Sequence, residues 1–304
     1  MANNATRLVL GTAQLGMPYG IANVAGQPDL SEATQIISTA WAAGVRHLDT
    51  AQAYGVSEMV LGQALRALGV INEARVITKL PPTLETGDGD ILLAHLRSSL
   101  ARLGLKQLWG VLLHREEQLD DWNGVLGQTL ARAKRDGLIV RAGVSVYSPS
   151  RALQALELDG LDILQVPANV FDRRVVRAGV FTEATRRGAQ VFVRSVYLQG
   201  LALLSPDRVA QVAPFAVPAV QRLVEFCRAH GLDRQQFALG YALALNPQAL
   251  MVIGAETPSQ VADNCRRVQE PPLPATLCRQ WDEAWPKDIE PLINPSRWPS
   301  RAAA

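Results

Sequence analysis

The chain has 304 residues, 30 Lys and Arg against 28 Asp and Glu, with 48% hydrophobic and 19% charged residues. That apolar content suffices for a large core and excludes a disordered chain, while a formal net charge of +2 gives no electrostatic basis for nucleic acid or a membrane surface as main partner. No uncharged apolar run of about 18 residues marks a membrane span, and the first residues lack the apolar core of a signal peptide. Cys227, Cys265 and Cys278 have neither metal-ligand nor paired-cysteine spacing, so a cytoplasmic, reduced protein without a metal centre is expected.

Short apolar or β-branched runs alternate with amphipathic stretches. In chain order the strand candidates are 7–12, 45–50, 75–80, 108–114, 142–146, 163–168, 190–195 and 249–254. Ser31 opens a helical pattern through Ile36, Ile37 and Ala40 that Gly44 closes. Leu93, Leu96, Leu100 and Leu103 recur at steps of three and four, with Gly104 at the C-cap position. Val125, Leu126, Leu130 and Ala133 form a third stripe, ended by Gly137, and the longest interval holds two helix candidates at 217–230 and 234–245.

Most strand-to-strand intervals are about 25–35 residues, the size of a βαβ unit. Eight units without a break in composition predict an α/β fold, a closed (β/α)8 TIM barrel over about residues 6–268. A short C-terminal extension over about 269–304, carrying Trp281, Trp285 and Trp298, completes a single domain and is expected to pack over one face. The competing open doubly wound sheet would place a GxGxxG after a strand, and none is present.

Chemistry in such barrels gathers at the C-terminal strand ends. The second candidate ends in Asp49 with Tyr54 five residues beyond, the third in Lys79 and the fourth in His114. Lysine is scarce in this chain, occurring only at 79, 106, 134 and 287, so Lys79 on a buried strand calls for a reason. Beside an Asp it stays charged through the ion pair, and it is expected to draw the pKa of a nearby phenol from about 10 toward neutrality. Such a phenol is a general acid toward a carbonyl oxygen gaining charge, and an imidazole can donate a second hydrogen bond to that oxygen. No nucleophile with an attached base accompanies the set, so reduction by an external hydride fits better than hydrolysis. A second reading makes Lys79 the Schiff-base lysine of an aldolase.

Leu10-Gly11-Thr12, Asp49-Thr50-Ala51-x-x-Tyr54-Gly55, Thr78-Lys79, Leu113-His114, Ser99-Leu-Ala-Arg-Leu-Gly104 and Gly143-Val144-Ser145 together resemble the aldo-keto reductase family over roughly residues 6–268. The resemblance implies reduction of aldehydes or ketones, sugar-derived carbonyls among them, with NADPH as cofactor and NADH as an alternative. It makes Tyr54 the proton donor, Lys79 and Asp49 its tuners and His114 the residue that orients the carbonyl. It places Gly11 and Thr12 beside the cofactor, and Ser145 and Gln165 on the nicotinamide carboxamide, with Val146 where relatives carry an Asn. Arg194 falls where an aromatic often stacks on the nicotinamide, and Ser195, Val196 and Gly200 belong to the loop that wraps the pyrophosphate. Gly254, Gln260 and Asn264 match the segment around the adenosine 2′-phosphate and adenine. Many relatives have Lys and Arg where this chain has Gly254 and Gln260, and Glu256 adds an acidic charge, which leaves a backbone nest or Arg266 to hold a 2′-phosphate. Tyr19 is the favoured substrate-pocket residue, with Trp109, Tyr147 and Tyr197 as further aromatics for the mouth. A non-catalytic, cofactor-sensing subunit is a third reading.

Overall fold

The computed structural model describes residues 7–285, 289–290, 292–295 and 298. The ends of the expected chain-long domain, 1–6 and 299–304, lie outside the described residues, as do 286–288, 291, 296 and 297.

The strands are β1 (Leu8–Gly11), β2 (His47–Asp49), β3 (Arg75–Lys79), β4 (Leu108–Leu113), β5 (Ile139–Ser145), β6 (Ile163–Pro167), β7 (Gln190–Arg194) and β8 (Leu250–Gly254). Each is parallel to the next, and β8 pairs with β1 to close the expected (β/α)8 barrel. Strand β5 starts three residues before its predicted beginning, because Ile139 already pairs with Leu108. Exposed Val140 and half-buried Arg141 hide that start from a search for apolar runs.

The helices begin and end for local reasons. Helix Leu30–Ala42 starts at a reciprocal capping box between Asp29 and Glu32, just upstream of the Ser31 predicted to open it. Helix Gly89–Leu103 ends at Gly104, whose φ of 68° suits the left-handed cap. Its stripe of Leu93, Leu96, Leu100 and Leu103 is buried against the barrel.

The side-chain alternation of β-strands builds two tiers inside the barrel. Val9, Ile77, Leu112, Ile163 and Phe192 form an apolar plug. Two residues farther along β1, β3, β6 and β7 stand Gly11, Lys79, Gln165 and Arg194, which line a cleft at the C-terminal end together with Asp49, Ser145 and Gly254. The plug keeps water out from below, and the polar tier faces the opening above.

Helix Ala275–Ala284 carries Trp281, whose indole N–H donates to Val170 O at 2.7 Å, and Trp285 beyond it donates to Phe171 O at 3.3 Å. The two rings stack with centroids 6.2 Å apart and fasten the segment after β6.

The short helix Ala13–Gly16 bears on the Tyr54 loop. A Cβ on Gly16 would lie 2.0 Å from Tyr54 O and 2.4 Å from Ser57 N. Gly16→Ala should therefore push residues 54–57 aside and lower stability by about 1–3 kcal/mol, the usual cost of overpacking. Urea unfolding of the variant checks this, and an unchanged midpoint would contradict it.

Candidate active site

Strands β2 and β3 bring two buried charges together. Lys79 Nζ donates to Asp49 Oδ2 at 2.6 Å and to Thr50 O at 3.1 Å, with 2% and 5% of the lysine and aspartate side chains exposed. Gln165 on β6 donates from Nε2 to the other carboxylate oxygen at 2.8 Å. Burial pulls the Lys79 ammonium below its ordinary range, and the Asp49 charge and hydrogen bond oppose that pull.

The Lys79 ammonium lies 5.0 Å from the Tyr54 ring centroid, and the Tyr54 and His114 rings meet edge to face with centroids 6.0 Å apart. Asp49, Tyr54, Lys79 and His114 thus converge at one end of the cleft. The electrostatics differ from the expectation of a phenol near neutrality. Burial raises the Tyr54 pKa above its ordinary 10, Asp49 adds to the rise, and only Arg194 opposes it. The free protein therefore keeps Tyr54 protonated. Burial, then the Lys79 and Arg194 cations, push His114 down to about 4. Its imidazole is neutral at physiological pH, and its buried Nδ1 has no hydrogen-bond partner among the described residues.

The residues expected around a cofactor line the same cleft of about 580 Å³. Gln165 Oε1 is buried and has no partner among the described residues, an acceptor suited to a planar ligand bearing an amide N–H. Gly11 and Gly254 pair across β1 and β8, and the Gln14 side chain lies over that glycine backbone. A Cβ on Gly254 would come within 2.4 Å of the Gln14 amide. Thr12 ties β1 to the Tyr54 loop, its hydroxyl reaching Asp49 O at 3.0 Å and Ser57 Oγ at 2.8 Å. After β7, Ser195, Leu198 and Gln199 adopt φ of 61°, 50° and 57°, left-handed values uncommon outside glycine, and Gly200 follows at 86°. Ser195, Val196 and Gly200 all face the cleft. Asn264 Oδ1 accepts from Tyr197 Oη at 2.7 Å and from Gln235 Nε2 at 3.1 Å. Gln260 Oε1 accepts the Glu256 backbone N–H at 2.7 Å.

Tyr19, Tyr147 and Tyr197 line the cleft, and burial pushes the Tyr19 phenol up to about 12. Trp109 does not belong there. It stands near the start of β4 at the barrel's opposite end, edge-on to His47 at 4.7 Å and Phe192 at 6.0 Å. Arg194 stacks within the protein, with Cζ 3.9 Å from the Tyr147 centroid. Arg266 is held by Asp263 and Glu270 and does not line the cleft. Among the polar side chains of the cleft, Gln14 and Gln235 escaped the sequence reading. Gln14 follows β1 closely enough to be found by reading that loop as the others were read; Gln235 sits on helix Arg234–Leu245, far from any strand end.

The profile described as the Aldo/keto reductase family matches residues 7–286. An aldo-keto reductase of Strobilurus tenacellus is 24% identical over 275 residues, 84% of this chain and 81% of the relative. L-glyceraldehyde 3-phosphate reductase of Escherichia coli K12 is 26% identical over 268 residues, 75% of this chain and 76% of the relative. The fold matches that of an aldo-keto reductase from Bacillus halodurans in its holo form, with a TM-score of 0.74 at 23% identity over 91% of each chain. Among the described residues no helix is long and apolar enough to cross a membrane. The chain belongs to the aldo/keto reductase family, oxidoreductases that act on carbonyl compounds with a nicotinamide cofactor.

Proposed function

We propose that the protein reduces a small aldehyde or ketone, with Tyr54 donating the proton and NADPH, or less readily NADH, as reductant. The observation that carries this reading is the meeting of a protonated Tyr54, a neutral His114 and the Asp49–Lys79 pair at one end of a single cleft.

The residues fit a nicotinamide dinucleotide. Gln165 Oε1 and Ser145 would hold the carboxamide, Gly11 and Gly254 bring backbone to the rim, and the loop from Ser195 to Gly200 would receive the phosphates. When bound, the nicotinamide supplies the hydride for the carbonyl carbon. The chain's own groups act on the oxygen. Tyr54 passes its phenolic proton to that oxygen as the carbonyl π bond breaks. His114 donates a hydrogen bond that fixes the carbonyl's direction and is uncharged above pH of about 4. Asp49 holds Lys79 in place, and the Lys79 ammonium, 5.0 Å from the Tyr54 ring centroid, is the charge that offsets the phenolate left behind, which Asp49 itself opposes. An aldolase would need Lys79 accessible and uncharged for carbon–nitrogen bond formation. Here its ammonium is buried and bonded to a carboxylate at 2.6 Å, which favours reduction.

Tyr54→Phe removes the proton donor and little volume. Carbonyl reduction should fall at least on the order of 10²-fold, with dinucleotide affinity held within a few-fold by fluorescence titration. A variant of near-wild-type rate would refute the assignment.

The pH dependence separates the two views of Tyr54. A general acid acts below its pKa and is lost above it, so a raised pKa extends activity upward. We expect kcat/KM for reduction to be level between about pH 6 and 9. A decline beginning near pH 7 would mean that the phenol is tuned toward neutrality after all.

Cofactor choice follows from the missing cations. Each charge-assisted bond to a 2′-phosphate contributes roughly 1.5–3 kcal/mol, and about 1.4 kcal/mol is tenfold in affinity. Neither Gly254 nor Gln260 supplies such a bond, Glu256 lines the same stretch of cleft, and Arg266 is held elsewhere. NADPH should therefore be favoured over NADH by less than about 100-fold, and Gln260→Arg should widen the ratio. The two dissociation constants before and after substitution decide it; a wild-type ratio in the thousands would overturn this account.

A further inference from the structure

The cleft contains a second cation that the reduction step leaves unused. Arg194 ends β7 and faces the opening beside Ser145, Tyr147 and Ser195. Its Nε donates to Ser145 Oγ at 3.3 Å, Nη1 to Ser195 Oγ at 3.4 Å and Nη2 to Val146 O at 3.3 Å. All three acceptors are neutral and all three bonds are long. A guanidinium has five N–H groups, so donor capacity remains at a residue that lines the cleft. Among the described residues no carboxylate lies within ion-pair distance of it. Arg173 and Arg267 are matched by acids, whereas half-buried Arg7, Arg46 and Arg234, which are not, donate to backbone carbonyls at 2.7, 2.9 and 2.7 Å, and Arg141 stacks on Trp109. Lys79, the other cation lining the cleft, has Asp49.

Half-burying a guanidinium without a counter-charge is costly unless short hydrogen bonds or a ligand compensate it, and the bonds of Arg194 are longer than those that satisfy Arg7, Arg46 and Arg234. Stacking on Tyr147 at 3.9 Å fixes the guanidinium in place, which lowers the entropy lost when its planar fork receives a planar anion. The site also lies at the reacting end of the cleft. The charge of Arg194 opposes protonation of His114 and favours ionisation of Tyr54 and Tyr19, so it is electrostatically in reach of all three.

We infer that Arg194 receives a carboxylate carried by the carbonyl substrate, so that the enzyme's substrates are aldehydo or keto acids in preference to neutral carbonyls. The inference deepens the reductase reading and rests on it for the word substrate, although the anion site itself can be measured by binding alone.

The test uses the full chain, titrated calorimetrically with 4-formylbenzoate and with 4-formylbenzamide, which differ in charge and little in shape. Titrations are run with saturating NADP⁺, which permits no reduction, and again without dinucleotide. The wild type should bind the carboxylate at least about tenfold more tightly than the amide. Arg194→Gln should bring the two within about twofold of each other while leaving the amide's affinity in place, and Arg194→Lys should retain part of the preference. A wild type without preference overturns the inference, as does a preference that survives Arg194→Gln. If Arg194→Gln instead loses NADP⁺ affinity with its carboxylate preference intact, the guanidinium serves the dinucleotide and the inference also fails. A misfolded variant would weaken both ligands together, and the wild-type ratio still decides against the inference if it is near one. Reduction of the two aldehydes is scored separately. Carboxylate discrimination without turnover would remove the reductase reading and leave the anion site standing.

Discussion

The rim of this barrel depends on one buried ion pair. Taking Asp49 and Lys79 out of water costs several kcal/mol per ion, and their mutual attraction offsets that only when the remaining lone pairs and protons are also bonded. Here they are: the second carboxylate oxygen accepts from Gln165, and the ammonium donates to Thr50 O as well. The network draws β2, β3 and β6 together across the barrel, so the positions of three strand ends are set by one charge pair. Burial is the largest influence on both Tyr54 and His114, the Lys79 and Arg194 cations add to it at His114, and both side chains are neutral hydrogen-bond donors in the free protein.

The period of two along a strand turns this local chemistry into architecture. An apolar plug from Val9 to Phe192 lies beneath, and residues two positions farther on supply the polar tier. A Gly at the last position of β1 and another at that of β8 interrupt that tier, where Gln14 crowds the space a Gly254 Cβ would need. Around β1 and β8 the rim is glycine backbone beneath the Gln14 amide, while β3 and β7 present the Lys79 and Arg194 cations, an asymmetry that suits a long ligand lying across the opening with its reactive end near Tyr54.

The order and ends of the strands were legible because apolar runs stop where they meet Asp49, Lys79 and His114, and each stop falls at the C-terminal end of its strand. Tyr54 was legible by its offset from Asp49. Its protonation was not, since it turns on burial of the phenol and the nearness of Asp49, matters that spacing does not carry. Trp109 was misplaced for a related reason: an aromatic in a strand reads the same at either end of a barrel, and only the register against His47 and Phe192 puts it at the far end. The stacking partner of Arg194 was hidden because Tyr147 follows β5 and Arg194 closes β7, two elements that share no local sequence signal. Gln235 reaches the cleft from a helix, where no strand-end rule applies.

The loop after β7 joins these themes. Three non-glycine residues there hold left-handed backbone, each at a cost of order 1–3 kcal/mol, and such conformations persist only where the surroundings over-determine them. The surroundings do so: Asn169 Nδ2 donates to Ser195 O at 3.0 Å, Ala22 N to Gln199 O at 3.4 Å, and Leu198 is buried in the second apolar cluster. A loop fixed in this way keeps Ser195 against the Arg194 guanidinium and both against the cleft. At the reacting end the formal charges are then one carboxylate and two cations, with neutral donors between them. Such a balance favours the negative charge that develops on a carbonyl oxygen during reduction, and because the groups are already in place, little reorganisation is needed when that charge appears.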